Sequence, residues 1–299
     1  MTLRIVAVPY RYDERNVGLG LGPQALLNDG LLDALREAGV DLAEPVFADL
    51  PDEDRTDESI AVNIGRLGAR VGELVADACG PGNRVLVLAG DDTASVGVIA
   101  GLQRVSGAAH RIGLLWLDAH GDFNTPETSV SNLLAGMPVA ILAGLAGPLW
   151  RDAAMLAATI PADRILIAGV RELDSPEEQL MRSTDVTVLR HAESLDGTSF
   201  AAAVNRLAER VDEIYLHVDL DVLDPSLVPS SSTPSPDGMT IRQLDNLLGT
   251  AYATGKVGVM GVAGLNPGGG KLGDLSVAST QKLLVSALVR WTRGDGEGA

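Results

Sequence analysis

Four short apolar runs in this chain each end in carboxylates. RVLVLAG (84–90) runs into Asp91-Asp92, and RIGLLWL (111–117) into Asp118, His120 and Asp122. RILIAGV (164–170) runs into Glu172 and Asp174, and EIYLHV (213–218) into Asp219, Asp221 and Asp224. Runs of this length, rich in Val, Ile and Leu, read as strands buried on both faces. In a parallel sheet, ligands collect beyond the carboxyl ends of the strands. Four strands with acidic ends at one edge therefore constrain both the fold and the place of its site.

The same alternation runs through the chain. Candidate strands are Arg4–Val8, Arg84–Ala89, Ile112–Leu117, Arg164–Ala168, Val186–Leu189, Ile214–Leu220 and Val257–Val262. Helical patterns fill Pro23–Ala38, Glu58–Ala78, Thr93–Val105, Leu133–Ala143, Phe200–Arg210, Ile241–Thr254 and Leu275–Thr292. This βαβ order argues for an α/β, mostly parallel, doubly wound sheet. No composition break divides residues 1–299, so a single domain is expected, with a frayed tail after Arg293.

Composition excludes several function classes. Asp and Glu number 40 against 23 Lys and Arg, a net charge of -17, which argues against nucleic acid as a partner. No apolar run is long enough to span a membrane, and the N-terminus lacks the basic and apolar regions of a signal peptide. One cysteine, Cys79, rules out an internal disulfide; it sits at a helix end and reads as inert. A cytoplasmic location fits these features.

The segments WLDAHGDFN (116–124) and HVDLD (217–221) carry the chemistry. Strand alternation would point Asp118, His120 and Asp122 to one side, and Asp219 with Asp221. Carboxylates at buried strand ends need a cation or hydrogen bonds to compensate them. With Asp92 they make an oxygen-rich set plus one imidazole, suited to manganese or magnesium, as one ion or two. A pair of such ions lowers the pKa of a bound water and holds a substrate for hydrolysis. Asp91 and Asp224 read as capping or loop residues.

DAHGD with Asn124, and HVDLDVLDP with Thr233-Pro234 downstream, resemble the signature segments of the arginase/agmatinase (ureohydrolase) family. The resemblance spans nearly the whole chain, including GLGLGP (18–23), FADLP (47–51), AGDD (89–92) and GLNPG (264–268). It implies a three-layer α/β/α sandwich with a parallel sheet of about eight strands, a dimanganese centre, and a homo-oligomer, trimer or hexamer. It also implies that Asp118, His120, Asp122, Asp219 and Asp221 are metal ligands, with Asp118 and Asp219 shared by both ions. Asp118, His120 and Asp219 become the catalytic candidates. Family positions that bind the amino-acid end of the substrate match Asn124, Ser131 and Asp174, with Glu177 nearby. The same Asp174-Ser-Pro-Glu177 also reads as a helix N-cap with its N3 glutamate.

Three positions depart from the family pattern. Asp92 stands where a metal-binding histidine is usual, and a fifth carboxylate against two divalent ions leaves one net negative charge. Such a charge disfavours ionisation of bound water and attracts a cationic substrate. Ala135 replaces a proton-shuttling histidine, as in hydroxyarginine hydrolases, which resemble arginases without it. Gly264 replaces the glutamate that pairs with a guanidinium, a group that prefers a bidentate carboxylate. The expected activity is thus hydrolysis of a C–N bond in an amidine, hydroxyguanidine, guanidine or amide on an amino-acid-like substrate. The alternative is a non-catalytic relative with a degraded metal site, acting in ligand binding or as an oligomer component.

Other motifs carry less. His217 shares the strand face of the DxD pair; a satisfied core histidine outweighs a partner of the metal ligands. GLNPGGGKLGD (264–274) reads as a loop near the site rather than a phosphate cradle, and residues 11–20 as a turn that covers it. His110 and His191 read as surface residues.

Overall fold

The computed structural model describes residues 1–268 and 270–293. Its strands are β1 (Thr2–Val8), β2 (Tyr10–Arg11), β3 (Glu14–Arg15), β4 (Asp41–Leu42), β5 (Val46–Phe47) and β6 (Asn83–Ala89). They continue with β7 (Ile112–Leu117), β8 (Ile165–Val170), β9 (Thr187–Arg190), β10 (Glu213–Asp219) and β11 (Val257–Ala263). Nine of them form one parallel sheet in the order β4-β1-β6-β11-β10-β7-β8-β9, with β5 also on β1. β2 and β3 make a small antiparallel hairpin.

Side chains alternate across the strands, and each face of the sheet has its own core. Leu86, Leu88, Leu115, Leu117 and Leu216 pack against helices Gly22–Asn28, Leu31–Glu37, Gly197–Arg210, Ile241–Tyr252 and Lys271–Arg293. Val85, Val87, Leu114, Trp116 and Ile167 pack against helices Ile60–Ala78, Ser95–Ser106, Pro138–Leu142 and Pro148–Ala153. The three-layer α/β/α arrangement expected from the sequence is present. Helices Ile60–Ala78 and Ser95–Ser106 touch through glycines: a Cβ at Gly97 would lie 2.3 Å from the Gly68 carbonyl oxygen.

All seven expected strands form. Two expected helices do not run as single elements. Pro23–Ala38 breaks into Gly22–Asn28 and Leu31–Glu37, because Gly30 takes a left-handed φ of 86°. Leu133–Ala143 becomes a 3-10 turn, Leu134–Gly136, followed by a short helix that starts at Pro138, whose missing N–H suits a first helical position. The tail expected to fray, residues 294–299, lies outside the described residues. β6 and β7 follow each other in the chain, yet β11 and β10 lie between them in the sheet. Strand order switches there, and the carboxyl ends of these four strands meet the site.

Candidate metal centre

The acidic segments do converge, though by turns rather than by strand alternation. β7 ends at Leu117, so Asp118, His120 and Asp122 lie in the loop beyond it. Asp122 takes a left-handed φ of 48°, which Asp tolerates, and its carbonyl accepts from Val139 N at 3.0 Å. β10 ends at Asp219, and Asp221 sits on the 3-10 turn Leu220–Val222. One ligand atom from each of Asp118, His120 and Asp221 lies within 4.8 Å of the others.

Hydrogen bonds fix these groups. Trp116 Nε1 donates to Asp118 Oδ2 at 2.9 Å, and His120 N donates to Asp118 Oδ1 at 2.7 Å. His120 Nδ1 lies 3.0 Å from Asp221 Oδ2, which also accepts from the Thr233 hydroxyl at 2.9 Å. Asp219 Oδ1 accepts from Asp221 N at 2.9 Å. Asp92 opens the 3-10 turn Asp92–Ala94, and its Oδ1 lies 2.9 Å from His217 Nε2. Asp122 Oδ2 is buried and has no hydrogen-bond partner among the described residues.

The electrostatics are those of crowded carboxylates. Burial, then repulsion from neighbouring aspartates, pushes Asp122 and Asp219 well above the usual carboxylate range. Burial and Asp118 raise Asp221 to about 6. Burial also opposes ionisation of Asp118, but its bonds to His120 win and hold it at about 2. Against its own burial, His120 is raised to about 11 by Asp118 and Asp221. Cations would neutralise such a cluster, and Asp122 offers an unused buried oxygen. The donor set fits a hard divalent ion.

One cavity of about 290 Å³ collects nearly every site residue expected from the sequence: the metal candidates except Asp118 line it, together with Asn124, Ser131, Asp174 and Glu177. Asp118 lies fully buried beneath. Asn124 is buried and its Oδ1 accepts from the Thr128 hydroxyl at 2.9 Å, whereas Ser131 is exposed at the rim. Asp174 occupies the N-cap position of helix Ser175–Arg182 without capping it; its Oδ2 accepts from Val130 N at 3.4 Å. Glu177 Oε1 accepts from Phe123 N at 2.9 Å, and burial raises its carboxyl to about 7. Gly121 allows this approach, since a Cβ there would lie 2.6 Å from Glu177 Oε1.

A second cavity of about 140 Å³ shares Asp92, Leu133, Ala135, Asp219 and Thr233 with the first and adds Arg11, Tyr12 and Leu19. The strip expected to cover the site does line it. Ala135 lines both cavities, and Gly264 lines the second. Gly264 has a φ of 86°, and a Cβ there would lie 2.2 Å from Asp219 Oδ1, so no side chain enters from this position.

Some contacts around the site are not evident in the sequence. His217, read chiefly as a core histidine, bonds Asp92. Arg171 was not singled out, although its guanidinium donates to the carbonyls of Asp221, Val222, Leu223, Ser235 and Pro236 and so pins the loop after β10. Only its place just past a strand end could have flagged it. Trp116 and His217 stand two residues before Asp118 and Asp219, a spacing that alternation could have exploited. Asp91 and Asp224 behave as expected: Asp91 accepts from Tyr12 N and Thr93 N, and Asp224 from Ser226 N. Cys79 is half-buried at a helix end, and burial pushes its thiol up to about 11, which keeps it inert.

A three-layer α/β fold with a carboxylate and imidazole cluster at the switch in strand order defines an α/β protein with a candidate metal centre. Residues 1–289 match the family model described as the Arginase family, and the chain belongs to that family. It is 30% identical to the arginase of Bacillus caldovelox, over 81% of this chain and 83% of that one. It is 30% identical to Arginase-1 of Homo sapiens, over 90% of this chain and 86% of that protein. The fold matches the crystal structure of Entamoeba histolytica arginase in complex with L-ornithine with a TM-score of 0.84, at 22% identity, covering 96% and 98% of the two chains. Membership makes the chain a hydrolase acting on C–N bonds other than peptide bonds.

Proposed function

We propose that the whole chain, residues 1–299, acts as one arginase-like domain, a manganese-dependent hydrolase of a C–N bond on an amino-acid-like substrate. Asp92, Asp118, His120, Asp122, Asp219 and Asp221 would hold one or two manganese ions. Bound manganese supplies Lewis acidity and lowers the pKa of water. The observation that carries this reading is one cavity lined both by crowded, buried carboxylates and by Asn124, Asp174 and Glu177.

In this reading Asn124, Ser131, Asp174 and Glu177 hold the amino-acid end and orient the reacting group toward the cluster. That an arginase crystal structure holds L-ornithine supports an amino-acid carrier. With no carboxylate at Gly264 and no imidazole at Ala135 to serve a guanidinium, an amidine or hydroxyguanidine fits better than a plain guanidine. We also infer a homo-oligomer in the cytoplasm, the first from the family resemblance and the second from the single cysteine.

The test is metal content by mass spectrometry on protein purified with manganese, followed by hydrolysis of a panel of amino acids carrying each candidate group. About two ions per chain and turnover of one panel member are expected. Metal-loaded protein that turns over none of the panel would return the chain to the non-catalytic reading.

A further inference from the structure

Beneath the cluster, three neighbouring strands bring Trp116, His217 and Gly261 abreast: His217 pairs in register with Trp116 of β7 and with Gly261 of β11. The Trp116 and His217 rings stack at 3.6 Å, and each has a nitrogen on a cluster carboxylate, Trp116 on Asp118 and His217 on Asp92. His217 is 1% exposed, and its Nδ1 lies 2.9 Å from the buried Tyr215 hydroxyl. Gly261 makes the space, since a Cβ there would lie 2.2 Å from that hydroxyl and 3.1 Å from His217 Nδ1. A phenol donating to Nδ1 leaves Nε2–H to donate to Asp92 Oδ1. Asp92 Oδ2 then has no hydrogen bond among the described residues, and Asp92 lines the cavity.

We propose that His217 is the positioning residue for Asp92. It clamps one oxygen so that the other stays presented to a metal ion, and it draws charge from the extra carboxylate of the site. A short side chain set at the start of a turn becomes a fixed ligand through this bond. Tyr215, Trp116 and Gly261 serve the clamp: the first fixes the tautomer, the second the ring plane, the third the room. The inference rests on the metal-centre reading above.

Manganese titration of the full chain, by calorimetry and by metal content, tests it in wild type, His217→Phe, His217→Gln, Asp92→Ala and the Asp92→Ala/His217→Phe pair. His217→Phe should weaken one manganese site by roughly ten- to a hundredfold. His217→Gln, which keeps an N–H donor, should recover much of that loss. In the Asp92→Ala background His217→Phe should add nothing, because its effect passes through Asp92. Wild-type affinity in His217→Phe, with only metal-free thermal stability lowered, overturns the proposal. So does an equal loss with and without Asp92. Wild type that takes up no manganese sinks the metal reading itself, which distinguishes the two failures.

Discussion

Asp122 and Asp219 are buried carboxylates whose neighbours are mostly other carboxylates, so the metal-free fold carries unrelieved repulsion. Replacing Asp219 with Asn keeps an oxygen for Asp221 N but removes the charge. Metal-free Asp219→Asn should melt higher than wild type, by roughly 2–4 °C per kcal/mol of relieved repulsion. The same variant should lose the gain in melting temperature that manganese confers. Differential scanning calorimetry with and without manganese checks both halves, and a lower metal-free melting point would remove the premise of crowding. Glu177 permits a separate test. Its carboxyl is raised by burial to about 7 in the fold, against an ordinary value of 4.5. Between those values the unfolded chain has lost the proton that the fold retains, so stability falls as pH rises through this window and levels off above it. The full difference is about 3 kcal/mol. Glu177→Gln should lessen the fall between pH 5 and 8 in urea unfolding, to which Asp221 also contributes, and an unchanged slope would show that Glu177 takes no part.

At the scale of elements, the loop after β10 hangs on Arg171. Arg171→Ala removes donors to five carbonyls of residues 221–236, which water can reach once the loop opens. The expected result is faster proteolytic nicking within residues 224–236 at a modest change in melting temperature, read by mass spectrometry of the fragments. Gly97→Ala should lower stability by about 1–3 kcal/mol, because the added methyl meets the Gly68 carbonyl and forces two helices apart. The strands were legible because parallel strands buried on both faces leave continuous apolar runs. The carboxylates of the centre were legible because they stand where those runs stop. The break at Gly30 was not, since one glycine in an apolar periodic stretch is tolerated as often as it breaks a helix. The row of Trp116, His217 and Gly261 was not legible either. It depends on which strands lie side by side, and β7, β10 and β11 are up to about 150 residues apart in the chain.

For the whole molecule, an ion bound by the fold and not by the unfolded chain adds stability by mass action, about 2.7 kcal/mol at a hundredfold excess over Kd. Thermal scans across a manganese series should therefore show a melting temperature that climbs with the logarithm of free manganese, and a flat series would speak against specific binding. The order of strands has a further consequence for how the chain is made. The two strands at the heart of the sheet, β10 and β11, are translated after their neighbours β6 and β7. A nascent chain that has emerged only through β9 carries the strands that flank the centre of the sheet but not the two that fill it. Its longest-range pairings, β6 with β11 and β7 with β10, cannot yet form. The acidic cluster therefore cannot be complete until β10 has been made, because Asp219 and Asp221 lie at its end.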